Sequence, residues 1–218
     1  MKPRFSHQRN RALTITEVLV TVVAVCLLAL VALAQSEDSQ ARSQRIRCVN
    51  NLKQIGLSYR VWAGGHNDKY PMQVSTTNGG TMGLANGRNA WIIFFVMSKE
   101  LNTPQILICP QDTKRTPATN FSRGFNNDNV SYFVGLDANL DHPQMFLSGD
   151  DNFAVGGASV KSGLLRLWTN TPITWTAARH QFVGNIGLAD GSVQQLTTKG
   201  LQQALQQIGV ATNRLAIP

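Results

Sequence analysis

No cysteine in this chain has a second one nearby; the three stand alone at Cys26, Cys48 and Cys109. That spacing excludes the paired CxxC knuckles of small zinc modules, and a metal held through sulfur would need two more ligands from elsewhere. Acidic residues are also few, with 12 Asp and Glu against 20 Lys and Arg, a formal charge of +8. The excess is concentrated at the front. Lys2, Arg4, Arg9 and Arg11 all precede the first acid, Glu17, and without residues 1–12 the balance is 16 bases against 12 acids, or +4. Aromatic residues make up 7% and do not alternate with basic ones in any run, so a groove that tracks a nucleic-acid backbone is not expected. There is no internal repeat. A length of 218 residues leaves room for one hydrophobic segment and one domain, of roughly 100 to 150 residues, and excludes a large multidomain enzyme.

What is present begins with "RALTITEVLVTVVAVCLLALVALAQ", residues 11–35. From Val18 to Ala34 the one polar residue is Thr21, and with Leu13 to Thr16 the run is long enough to cross about 30 Å of hydrocarbon. The basic leader before it and "SEDSQ" after it orient the expected span, residues 13–35, with a cytoplasmic N-terminus and the bulk of the chain outside. A secretory signal peptide cut after "ALA" (32–34) is the alternative; the length of the run and the helical pattern that follows stand against it. A charge at bilayer depth costs roughly 2.5 to 3.5 kcal/mol, so Glu17 needs a partner or an interfacial position.

Beyond the span, residues 36–63 contain no Pro, and no Gly before Gly56. Ile46, Val49, Leu52, Ile55 (or Leu57), Tyr59 and Trp62 recur every three or four residues, which predicts an amphipathic continuation of the same helix that Gly64 and Gly65 end.

A short basic leader, a small residue, "LTITE" opening a hydrophobic helix and an amphipathic second half together resemble the N-terminus of type IV pilins and type II secretion pseudopilins. The resemblance implies a leader of residues 1–12, cut by a prepilin peptidase between Ala12 and Leu13, with methylation of the new N-terminus. Ala12 stands where that family usually has Gly, and Leu13 where it usually has Phe. It further implies a bacterial inner-membrane protein with a periplasmic head and with other pilin-like subunits as partners. Residues 13 and 17 share one helix face about 6 Å apart along the axis. The α-amine that cleavage would create at Leu13 therefore suits Glu17 of a neighbouring subunit, and burial of such a pair makes a mismatch costly. Glu17 reads as an assembly register, with a carboxylate reaching back to the interface as the alternative.

"CVNNLKQIGLSYRVWAGGHNDKYP", "SKELNTPQILICPQD", "VSYFVGLDA" and "RHQFVGNIGLADGSVQQL" are similar to the pilin-like proteins of planctomycetes and verrucomicrobia. Their C-terminal mark is H-x9-D-G, here His180, Asp190 and Gly191. The resemblance implies an α+β fold in which a long N-terminal helix packs on a small antiparallel-sheet head, residues 64–218, and a structural, non-enzymatic function in a secretion or pilus-like filament. The rival reading is a ligand-binding or enzymatic head that uses the helix only as an anchor.

"GNIGLADGSVQQL" itself predicts a hairpin with a type I′ turn at Asp190-Gly191, Leu188 facing Val193 and Ile186 on the same face. Seven or more strand residues then separate His180 from Asp190 by roughly 20 Å, which rules out an acid–base pair. His180 reads as the residue that opens the strand, bonded to backbone. In the rest of the head, 89–101 predicts a helix, 106–109 a short buried strand, and 130–136, 144–150 and 164–168 further strands. "TKGLQQALQQIG" predicts a closing helix with Thr198 as a cap and Gly209 as a stop. Residues 73–88 read as a mobile surface loop.

Cys26 lies in the apolar run and reads as a packing residue. Cys48 and Cys109 both fall outside the expected span, where an oxidising compartment would pair them. Major pseudopilins often hold calcium, which makes the oxygen-rich segments around Asp137, Asp141, Asp150 and Asp151 candidate calcium ligands, although Asp and Asn are equally ordinary turn residues.

Overall fold

The computed structural model describes residues 14–84 and 88–218, and for residues 29–38 the backbone alone. Two compact units divide between Arg42 and Ser43, inside the segment expected to continue the helix.

Helix α1 spans Ile15–Gly64. Its start is a Thr-x-x-Glu capping box. The Glu17 N–H donates to Thr14 Oγ1 (3.3 Å), and Glu17 Oε2 accepts from both the Thr14 N–H and its hydroxyl, each at 2.9 Å. Side chains described from Ile15 to Leu28 are exposed, among them Leu19, Val20, Val25 and Leu28. In the second unit the buried face of α1 is Cys48, Leu52, Ile55, Tyr59, Trp62 and Ala63, spaced four, three, four and three residues apart before the last pair. Leu52, Ile55, Tyr59 and Trp62 of the expected stripe are on this face, whereas Ile46 and the alternative Leu57 are exposed, because a face that starts at Cys48 turns both of them to solvent.

The strands are β1 (Tyr132–Gly135), β2 (Phe146–Asp150), β3 (Phe153–Val155), β4 (Ala158–Ser159), β5 (Gly163–Trp168), β6 (Ile173–Trp175), β7 (Val183–Leu188), β8 (Val193–Thr197) and β9 (Thr212–Ile217). Six of them form an antiparallel sheet in the order β5-β9-β1-β2-β7-β8, and three form a second sheet, β4-β3-β6. Period-2 alternation sends neighbouring residues of one strand into different cores. Tyr132, Val134 and Leu147 join α1 in one cluster, whereas Phe133, Phe146 and Ile186 join Phe153 and Trp175 of the small sheet in the other. Helix α4 (Thr198–Gln206) adds Leu201 and Leu205 to that second cluster and is capped by Thr197, whose Oγ1 accepts from the Gly200 N–H. The cap therefore falls one residue before the expected Thr198.

The expected fold class is corrected. Among the described residues the chain builds a six-stranded and a three-stranded antiparallel sheet, not a small head on which one long helix packs. The physical reason is the C-terminal third: β9 inserts between β5 and β1 and extends the sheet from within, and β3, β4 and β6 add a second layer. The expected single-pass inner-membrane location is corrected with it. No helix among the described residues is long and apolar enough to cross a membrane.

Two local expectations also change. Residues 89–101 are helical but break at Met97 into α2 (Ala90–Val96) and α3 (Ser98–Leu101). The strand expected at 106–109 is replaced by a 3-10 turn, Pro104–Leu107. Pro104 opens that turn and Thr103 Oγ1 accepts from the Gln105 N–H, a local solution that outweighs the β-branched run. Residues 73–84 contain a further 3-10 turn, Thr76–Asn78, and bury Val74 and Thr81.

Candidate functional site

Asp190 and Gly191 sit in the turn between β7 and β8, against α1. The turn is longer than expected. Val193 pairs with Gly187, not with Leu188, and the Leu188 N–H donates to Ser192 O while the Gly191 N–H donates to Leu188 O. This is a three-residue connection with Gly191 in the left-handed region at φ +85°, a type I turn closed by a glycine bulge rather than a type I′ turn. Tertiary bonds select it: the Ala189 N–H reaches Met145 O, the Asp190 N–H reaches Pro143 O, and the Tyr70 hydroxyl donates to Ala189 O at 2.5 Å. Arg60 Nη1 donates to Asp190 O at 2.7 Å, and Asp190 Oδ1 accepts from the Ser192 N–H.

His180 occupies another place. It precedes β7 in a turn where His180, Gln181 and Phe182 all have φ between 51° and 63°, three consecutive side chains in a conformation that costs roughly 1 to 2 kcal/mol per residue. Its backbone is held at both ends, the N–H donating to Gln111 Oε1 (3.0 Å) and the carbonyl accepting from Arg45 Nη2 (3.1 Å). The side chain is directed inward and fully buried: Nε2 lies 3.3 Å from Cys109 Sγ and 3.4 Å from Asp150 Oδ2. His180 and Asp190 thus have separate partners; His180, expected to open the strand, lies three residues before β7, and its side chain meets Cys109 and Asp150 rather than backbone.

Cys48 and Cys109 form the expected disulfide, with Cα atoms 5.3 Å apart. It ties α1 to the segment following the Pro104–Leu107 turn. Around it, Cys48, Cys109, Asp150 and His180 are all buried and offer ligand atoms within 4.8 Å of one another. The two further ligands that the cysteines lacked in sequence come from the end of β2 and from the turn before β7. Asp150 Oδ2 accepts from the N–H and the Nδ2 of Asn185 at 2.8 Å each, whereas Asp150 Oδ1 and His180 Nδ1 are buried without a hydrogen-bond partner.

Beside this cluster, two arginines and two aspartates interlock. Arg179 donates to Asp151 Oδ1 and to Ser131 O, and lies 3.3 Å from Asp112 Oδ2. Arg115 donates to Asp112, Asp151 and Pro218 O. Burial pushes the Asp112 carboxyl up, but the Arg179 guanidinium, the Ser131 hydroxyl, the Lys114 N–H and Arg115 outweigh it and hold the group below the usual carboxylate range. The same four residues line a cleft of about 300 Å³ with Asn152 and Thr176. With charges matched two against two, this cleft is cross-linked from within.

The four candidate calcium ligands go to different partners. Asp137 is engaged by Arg214 through its N–H, Nε and Nη2, Asp151 by the two arginines, and Asp150 by Asn185 and His180, while Asp141 is exposed. Ala12 and Leu13 lie outside the described residues. Glu17 is exposed, and the bonds from the Thr14 N–H and hydroxyl lower its pKa. Cys26 is a free, exposed thiol. Sequence reasoning singled out each member of the cysteine–histidine–aspartate group but not their convergence, since no spacing rule links four positions on four different elements. Arg115 and Arg179 were not singled out at all, and no sequence signal distinguishes them from other arginines. Comparison of the chain with family models, with curated proteins and with solved structures found no match.

Proposed function

We propose that the chain is a structural subunit of the pilin and pseudopilin kind, trimmed by a prepilin peptidase between Ala12 and Leu13 and assembled with other pilin-like subunits through the N-terminal part of α1 into a secretion or pilus-like filament. The observation that supports this reading most is the ring of apolar side chains at the start of α1. Val18, Leu19, Val20, Val22, Val23, Val25, Leu27 and Leu28 are all exposed, and together they reach all sides of the axis. A helix apolar all round has to be covered on all sides, and several copies of the same segment, side by side, would do so.

Glu17 has a defined part in this reading. Its capping bonds keep it ionised at the first turn, and the α-amine of a trimmed neighbour would be an opposite charge at the matching height. Intact-mass measurement on protein isolated from its native cells tests the processing step. A chain that begins at Leu13, with or without one methyl group, is the expected result, and a chain that retains Met1 overturns it.

A second reading, a head that binds a ligand or carries out chemistry, is favoured by one observation, the buried cysteine–histidine–aspartate group. It predicts a function that persists after residues 1–35 are removed, whereas a filament subunit loses its function with them.

A further inference from the structure

We propose that Cys48, Cys109, His180 and Asp150 form a zinc site when the disulfide is reduced, so that the head has two alternative cross-links at one place: a disulfide under oxidising conditions and a tetrahedral zinc ion under reducing ones. This goes beyond the filament reading and does not depend on it.

The geometry carries the inference. A zinc ion with Zn–S near 2.3 Å and Zn–N and Zn–O near 2.0 to 2.1 Å sets tetrahedral ligand–ligand edges of roughly 3.3 to 3.8 Å. The structure has His180 Nε2 at 3.3 Å from Cys109 Sγ and at 3.4 Å from Asp150 Oδ2, and all four donors lie within 4.8 Å. Two edges of the polyhedron already have that length, and the sulfurs become free to part on reduction. Two thiolates, an imidazole and one carboxylate suit zinc and are unlike the all-oxygen sets of calcium and magnesium.

Three further observations converge on the site. Asp150 Oδ1 is a buried carboxylate oxygen without a partner, which is costly unless a cation compensates it, as a zinc ion beside the same carboxylate would. Asn185 binds Asp150 through two N–H groups, the kind of support that orients a ligating carboxylate. Finally, His180 is delivered by three successive left-handed residues, with Phe182 exposed. Strain of that kind persists where the surroundings impose it, and it gathers at functional positions.

The conversion balances. A dithiol reductant supplies two electrons and two protons, closing to its own disulfide as Cys48 and Cys109 become thiols. Zinc then displaces both thiol protons to solvent, so uptake strengthens as pH rises.

The test uses the full chain, reduced with a water-soluble phosphine, stripped with a chelator and titrated with Co(II) and with Zn(II), while thiolate-to-cobalt charge-transfer and ligand-field bands are recorded. About one equivalent with a tetrahedral cobalt spectrum is expected, with no uptake by the oxidised chain and at least a 10-fold loss of affinity in His180→Gln and Asp150→Asn. If reduction unfolds the chain, zinc but not magnesium should restore its circular dichroism. An octahedral spectrum, equal binding by the two variants, or a reduced chain that takes up no metal and is not refolded by zinc overturns the proposal, and leaves His180 as a buried ring packed between Asp150 and a disulfide.

Discussion

Gly56 of α1 and Gly191 of the β7–β8 turn meet backbone to backbone: a Cβ on Gly56 would lie 3.3 Å from Gly191 Cα and from its carbonyl oxygen. The turn has little room to withdraw, because Tyr70, Arg60 and Met145 each hold one of its backbone groups. Gly56→Ala should therefore destabilise the protein although alanine is the better helix former by about 1 kcal/mol. Gly191→Ala adds left-handed strain of roughly 1 to 2 kcal/mol. Urea unfolding of both variants measures this, with lower midpoints expected for each.

Tyr70 links the same turn to the core at high pH. Burial is the main cause that raises its phenol to about 12, Arg60 acts in the opposite direction, and Asp190 adds to the rise. An ordinary tyrosine titrates near 10, so the native state holds a proton that the unfolded chain releases. The resulting stability is complete below about 10 and is lost as pH rises towards 12. Tyr70→Phe should cost about 1 kcal/mol at neutral pH through the lost bond to Ala189 O and should weaken the alkaline loss, as read from melting temperature against pH. Tyr59 and Tyr132, pushed well up mainly by burial, remain to contribute to it.

The arginine–aspartate group predicts the acid limb. Asp112 is held below its ordinary value despite burial, chiefly by Arg179, so its stabilisation is present above the unfolded carboxyl value near 4 and is lost as pH falls through the lower folded one. Arg179→Met leaves Asp151 without one of its two guanidinium partners and should destabilise by about 3 to 5 kcal/mol at pH 7, with a weaker acid dependence. Chemical denaturation at neutral and at acid pH checks both.

Cys48 and Cys109 close a loop with a sequence separation of 61 residues. A cross-link of that span is worth about 2 to 4 kcal/mol. The double variant Cys48→Ser, Cys109→Ser should lose that amount under oxidising conditions, and a thermal melt of each chain without metal measures it.

How far the sequence discloses this protein depends on how local each feature is. β1, β2, β5 and the β7–β8 hairpin are legible because each is a compact apolar run bounded by turn residues. β9 is not: "TNRLAI" carries Arg214 at its centre and acquires its strand character by pairing with β5 and β1, more than forty and seventy residues away. β3, β4 and β6, of three residues or fewer, are too short for any periodicity to register. Asp190-Gly191 announces a turn, but its length is set by Pro143, Met145 and Tyr70, which no dipeptide rule can see. The cysteine pair follows from compartment and count, whereas its neighbours Asp150 and His180 follow only from the fold. The apolar run at residues 13–35 suggested a span, and the capping box at Thr14 and Glu17 instead accounts for the carboxylate as the first turn of a helix.

Assembly through that helix is the central claim, and electron microscopy of polymers formed by the leader-trimmed chain tests it most directly when paired with the variant Leu19→Lys, Val23→Lys. The account predicts filaments from the unaltered chain and none from the variant, whose head keeps its melting temperature. Filaments of equal length and number from both chains, or none from the unaltered one, would contradict it.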